Sequence, residues 1–185
     1  MPKNRNSCTF RLKDGAAAVV LRGVLQLSAL FPLEVARGFG RSVAKLIYRA
    51  NTYPVRVVRT NVALAYPDWT DDQREELVRD AVVEQGALLL ELGHVWRRPL
   101  AYVVSRLRVV GIEHLDAAAA QGSGVLVLAP HVGNWEILPH HLVTQGEFLG
   151  LFEPPKLPSI GEVVLNARQR PGGAYVPTTP RGLVQ

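Results

Sequence analysis

The sequence predicts an α/β fold, a mostly parallel sheet with flanking helices, preceded by an N-terminal helical region that associates with a membrane. Three observations carry that expectation. After Pro99, short apolar runs alternate with helical stretches, a pattern that implies crossover connections between parallel strands. Before it, residues 16–33 are apolar, and residues 37–50 place basic and apolar side chains on opposite sides of a helix. With 185 residues and 48% hydrophobic content, the chain can bury a core for one domain plus an appendage.

Charge and cysteine content narrow the partners. Residues 1–60 hold eleven Lys and Arg against Asp14 and Glu34, so the rest of a chain of net charge +5 is net acidic. A basic end attracts an anionic surface, which could be phospholipid, nucleic acid or an acidic protein. The adjoining apolar run favours anionic membrane lipids, and no nucleic-acid module accompanies the basic residues. The single cysteine, Cys8, excludes an internal disulfide framework and a Cys-based zinc site, which fits a cytoplasm-facing domain.

In chain order, residues 1–14 read as a basic flexible tail. The apolar run of 18 residues from Ala16 to Leu33 is interrupted by Arg22, Gln26 and Ser28, with Pro32 near its end. It is marginal for a hydrocarbon core ~30 Å thick, and a buried charge would oppose a span. Arg22 and the lack of a small-x-small cleavage site argue against a signal peptide, leaving a retained membrane-associated helix or an ordinary core helix. Arg37, Arg41, Lys45 and Arg49 then recur every four residues opposite Phe39, Val43, Leu46, Ile47 and Ala50. That arrangement suits an interfacial helix on anionic lipid, the alternative being a solvated face of a globular helix.

Residues 55–66 form a short helix ended by Pro67. Thr70-Asp71-Asp72-Gln73 reads as a capping box, with both aspartates favourable at the positive end of the helix dipole. The helix it opens runs to about Arg98, with Leu77, Ala81, Leu88, Leu92 and Val95 along one side and Glu84, Glu91 and His94 as boundary polar groups. The expected domains are therefore the tail 1–14, membrane-associated helices 15–50 and an α/β domain 51–185. Within the last, strands are expected at residues 107–110, 125–129, 148–152 and 174–176, and helices at 113–120, after Gly133 and at 159–170. Thr179-Pro180-Arg181 has the character of a further helix start.

The stretch with chemical content is residues 125–136, Val-Leu-Val-Leu-Ala-Pro-His-Val-Gly-Asn-Trp-Glu. On one regular helix His131 and Glu136 would lie about 140° apart and would not meet easily. With His131 in a strand-to-helix turn made possible by Gly133, and Glu136 in the next helical turn, the carboxylate can reach the imidazole. Glu136 then fixes the tautomer and leaves the other ring nitrogen to take a proton from a hydroxyl. Sites in parallel sheets lie at the carboxyl ends of strands, where His131 falls. A structural histidine is the alternative. Gly-x-Ser-x-Gly is missing, so direct attack by an acceptor hydroxyl is favoured over a covalent acyl-enzyme. His140 and His141 add imidazoles nearby, but His-Glu-x-x-His is absent and adjacent helical histidines diverge, so no metal is expected.

His-Val-Gly-Asn-Trp-Glu, preceded by Gly-Ser-Gly-Val-Leu-Val-Leu-Ala-Pro, resembles the His-x-x-x-x-acidic signature of the bacterial lipid A biosynthesis acyltransferases. Asn61-Val-Ala-Leu-Ala-Tyr-Pro-Asp68, Val110-Gly-Ile-Glu-His-Leu115, Phe152-Glu-Pro-Pro-Lys156, and Arg168 with Gly172 agree in order, so the resemblance covers most of the chain from about residue 15. It implies a glycerolipid acyltransferase-like fold anchored to the bacterial inner membrane and working at its cytoplasmic face. It also implies transfer of a fatty acyl chain from an acyl carrier protein or acyl-CoA thioester to a hydroxyl of a glycolipid, with no cofactor beyond that co-substrate. By resemblance His131 is the general base and Glu136 its partner, and Arg168 matches an active-site arginine that could hold a lipid phosphate or stabilise the developing oxyanion; Arg168, Asn134, Gly133 and Arg170 are the expected substrate-binding residues. Asn134 capping the helix is the alternative for that residue, and Trp135 is expected to pack. The family's pattern continues past residue 185 with an acidic motif, so a C-terminally truncated domain is expected. Pro139 early in the helix carrying Glu136 is expected to kink it. A phosphatidylinositol-mannoside-type acyltransferase using acyl-CoA and a non-catalytic membrane-bound remnant are the alternatives.

Overall fold

The computed structural model describes residues 8–179. They divide into two units, one holding the described chain up to Arg97 with Pro154–Val164, the other holding Arg98–Glu153 with the chain from Leu165 onward.

The first unit is built from α1 (Cys8–Leu30), α2 (Leu33–Arg49), α3 (Tyr53–Ala65) and α4 (Asp71–Arg97), with α1, α2 and α3 all packing on α4. The predicted capping box opens α4. Gln73 N–H donates to Thr70 Oγ1 at 3.3 Å and Thr70 N–H donates back to Gln73 Oε1 at 2.9 Å. Pro99 follows its end, as the sequence suggests. The buried stripe of α4 departs from the expected one, since Val78 and Ala87 are buried and Ala81 is exposed. Residues 8–14, expected in the tail, are helical in α1, and residues 1–7 lie outside the described residues. Asp14 is buried there and accepts hydrogen bonds from the Ser159 backbone N–H at 3.1 Å and the Ser159 hydroxyl at 2.8 Å.

Small residues decide how α2 meets α4. Ala36, Gly40 and Ala44 form the buried stripe of α2, and a Cβ on Gly40 would lie 2.3 Å from the carbonyl oxygen of Gly86. The backbones touch because side chains are missing there. Gly93 admits α1 in the same way, since a Cβ on it would meet Ser28 Oγ at 1.9 Å. On one side of the stripe Arg41 binds Glu84 through Nε at 2.8 Å and Nη2 at 3.1 Å, and Arg37 Nε lies 3.7 Å from Glu91. Half of the predicted basic stripe is thus turned onto α4, where its charge is matched. On the other side Val35, Phe39, Val43 and Leu46 are exposed. No helix among the described residues is long and apolar enough to cross a membrane.

The second unit carries α5 (Leu100–Val104), α6 (Ile112–Ala119), a 3-10 turn (Trp135–Ile137), α7 (Leu138–Leu142), β1 (Leu149–Phe152) and β2 (Ala174–Pro177). Helix α8 (Pro158–Gln169) connects the strands. β1 and β2 pair in parallel, Leu149 opposite Ala174 through Phe152 opposite Pro177, as a strand-helix-strand crossover requires. The expected strands at 107–110 and 125–129 are irregular instead. A strand persists only where a neighbour completes its hydrogen-bond ladder, and the sheet has two strands among the described residues. Leu126 and Leu128, expected to be buried, are 89% and 84% exposed. The described chain is therefore mostly helical with a small parallel sheet, and α5 was not anticipated.

Candidate active site

The segment leading to the site turns at Gly133, whose φ of +57° lies in the left-handed region that costs other residues strain. Asn134 precedes the 3-10 turn and makes no side-chain capping hydrogen bond to it. Trp135 and Glu136 open that turn, and Pro139 stands at the second residue of α7. The first turn of a helix has no intrahelical use for an N–H, so Pro139 sits where the 3-10 turn gives way to α-helix without breaking a bond. Glu136 is thereby carried by the 3-10 turn and not by a kinked helix.

Glu136 is 6% exposed and held by Arg168 in a two-point grip, accepting from Nε at 3.0 Å and Nη2 at 2.5 Å. Planar guanidinium against planar carboxylate fixes both orientation and distance. Arg168 comes from the last turn of α8, where a cation also complements the helix dipole. Its guanidinium carbon lies 4.8 Å from the Trp135 ring centroid and 5.6 Å from that of Phe152, so the charge is stacked on two aromatic faces. His131 is exposed, and its ring lies 4.5 Å from the same indole. The buried His140 places Nδ1 3.2 Å from the Glu136 backbone oxygen.

Of the predicted residues, His131 and Arg168 both meet the Trp135 ring. The structure pairs Glu136 with Arg168, and it sets His131 against the indole that also receives Arg168. Gly133 makes the turn between them, and Arg170 is exposed one residue past the end of α8. Trp135 packs, as expected, but between two polar groups. Among the described residues no three His, Cys, Asp or Glu side chains gather as a metal site.

Sequence reasoning passed over Tyr175. It lies on β2 opposite Gly150 of β1, and its ring occupies the space that a side chain at Gly150 would take, with Cε1 2.6 Å from the Cβ position. A glycine facing an aromatic across a strand pair was the available signal, visible only once the two runs are known to pair. The Phe148 ring meets Tyr175 edge-on at 5.7 Å. Burial pushes the Tyr175 phenol up to about 12, with the Arg168 charge lowering it and Glu136 raising it to smaller extents.

A family model described as bacterial lipid A biosynthesis acyltransferase matches residues 7–185. The lipid A biosynthesis lauroyltransferase of Escherichia coli is 27% identical over 138 residues, covering 75% of this chain and 45% of that protein. A lipid A biosynthesis acyltransferase of Haemophilus influenzae is 26% identical over 62% of this chain and 36% of its own length. A phosphatidylinositol mannoside acyltransferase of Mycobacterium tuberculosis is 32% identical over 49% of this chain and 32% of its own. The chain therefore spans less than half the length of these curated relatives.

Proposed function

Because the chain belongs to the bacterial lipid A biosynthesis acyltransferase family, we propose that it moves a fatty acyl chain from an acyl carrier protein or coenzyme A thioester to a hydroxyl of a glycolipid. The observation that carries this reading is the convergence on Trp135 of an exposed imidazole, His131, and a buried Glu136–Arg168 pair. His131 can meet a substrate hydroxyl, and Arg168 of the ion pair approaches the same indole ring. In the proposed reaction the His131 ring takes the acceptor hydroxyl proton as the oxygen attacks the thioester carbonyl carbon. A C–O bond forms, the C–S bond breaks, and the thiolate leaves with the proton that His131 returns. Glu136, held by Arg168, favours the transient imidazolium. Gly133 keeps the backbone turn, and Asn134 and Arg170 bind the acceptor.

We place this reaction at the cytoplasmic face of the inner membrane; the exposed apolar residues of α1 and α2, including Val20, Leu27, Phe39 and Leu46, support contact with a lipid interface. A lipid A precursor is the acceptor we propose. A phosphatidylinositol mannoside is the second reading, supported by the 32% identity to an acyltransferase named for that lipid.

Transfer of radiolabelled lauroyl groups from lauroyl-acyl carrier protein or lauroyl-CoA to each acceptor tests both readings. His131→Ala is expected to reduce transfer by roughly 100-fold or more, the scale of a lost general base. Wild-type rates in that variant would refute the mechanism, and the preferred acceptor decides between the lipids.

A further inference from the structure

Tyr175 holds a polar atom that nothing else in the unit uses. Its hydroxyl is buried and has no hydrogen-bond partner among the described residues. A buried hydroxyl without a protein partner is a donor that a bound ligand can use.

The sheet register says where this hydroxyl belongs. Side chains of a strand alternate between faces, so Gly150 and Phe152 of β1 share one face, and Tyr175 shares it because it pairs with Gly150. The Arg168 guanidinium stacks over Phe152 on that face and holds Glu136. The phenol thus stands on the same side of the sheet as the ion pair, and the influence of both charges on its acidity agrees with that nearness. The ring is fixed by Phe148 and by the absence of a side chain at Gly150, so the hydroxyl is held in place before any substrate arrives.

We propose that Tyr175 is a hydrogen-bond donor to the thioester carbonyl oxygen of the acyl donor, strongest when that oxygen becomes the oxyanion of the tetrahedral intermediate. The proposal rests on the acyl-transfer reading above. The phenol keeps its proton throughout. Attack by the acceptor oxygen forms the C–O bond and moves the carbonyl π electrons onto the oxygen that Tyr175 faces. Collapse returns them as the C–S bond breaks, and His131 handles the transferred proton. A neutral phenol suits this role, because burial holds it protonated across the physiological range.

The test is Tyr175→Phe, which keeps the ring, compared with wild type and His131→Ala in lauroyl transfer from lauroyl-CoA. A donor used mainly in the transition state predicts a fall in kcat of roughly 100-fold, with little change in KM for the donor and a Tm no lower than wild type. A lauroyl-CoA thioether, which lacks the carbonyl oxygen, should bind wild type and Tyr175→Phe equally. Wild-type kcat in Tyr175→Phe overturns the proposal, and with His131→Ala inactive the acyl-transfer reading still stands. A joint fall in Tm and thioether binding would assign the hydroxyl to packing and also overturn it. Full activity of His131→Ala refutes the acyl-transfer mechanism itself.

Discussion

Arg168 and Glu136 illustrate how much a single buried contact decides. Both side chains are largely withdrawn from water, at 15% and 7% exposure, and each satisfies the other with two hydrogen bonds. Removing one partner leaves the other charge stranded, which typically costs more than the pair itself contributes. Arg168→Ala is expected to lower stability by roughly 3–5 kcal/mol in urea unfolding, and the double variant Glu136→Ala/Arg168→Ala to recover a large part of that. A single variant as stable as wild type would mean that the carboxylate is not held as the geometry indicates. The His131-to-Glu136 spacing was legible in the sequence, because both lie in one short motif. The partner of Glu136 was not, since Arg168 stands on another helix and only chain folding brings it near.

At the scale of elements, α4 orders its neighbours through charge as well as packing. Tyr48 of α2 donates to Glu75 at 2.7 Å, and Arg59 of α3 grips the same carboxylate at 2.8 and 2.7 Å, beside the Val55, Val62 and Val78 core. Hydrogen bonds from Arg59, then from Tyr48, hold Glu75 down to about 2. A folded-state value below the unfolded one contributes stability that is present above the ordinary carboxylate value of 4.5 and is lost as the pH falls toward about 2. Thermal unfolding from pH 7 to pH 2 should therefore show the gap between wild type and Glu75→Gln closing below pH 4.5. A constant gap would show that the ionised form is not what links the three helices. Both side chains of the Arg59–Glu75 pair are more than a third exposed, so the effect is screened and modest. The start of α4 was readable because a capping box is local, involving four consecutive residues. The α2–α4 contact was not, because Ala36, Gly40 and Ala44 announce small size and leave their partner unnamed.

For the whole molecule, the exposed apolar residues of α1 and α2 are one feature that a globular core does not explain. If this face lies in a lipid interface, Phe39→Glu with Val43→Glu should reduce co-sedimentation with anionic phosphatidylglycerol vesicles by roughly tenfold or more, since each change exchanges buried apolar area for a charge. Wild-type protein should stay on membranes washed with high salt and leave only with detergent. Release by salt alone would put the attachment on the basic residues instead.

The sequence by itself determined what is local or periodic: the four N-terminal helices, the capping box, the short apolar runs that become β1 and β2, and the His-x-x-x-x-Glu motif. Each depends on residues within a turn or two, so its physics is written in consecutive letters. Tertiary structure alone decided the contacts made across long stretches of chain. It turned Arg37 and Arg41 onto α4, left residues 107–110 and 125–129 without a ladder, gave Glu136 to Arg168 and set Tyr175 over Gly150. A strand exists only where a neighbour bonds it, and a buried charge is held only by its partner, so neither outcome can be read from one segment.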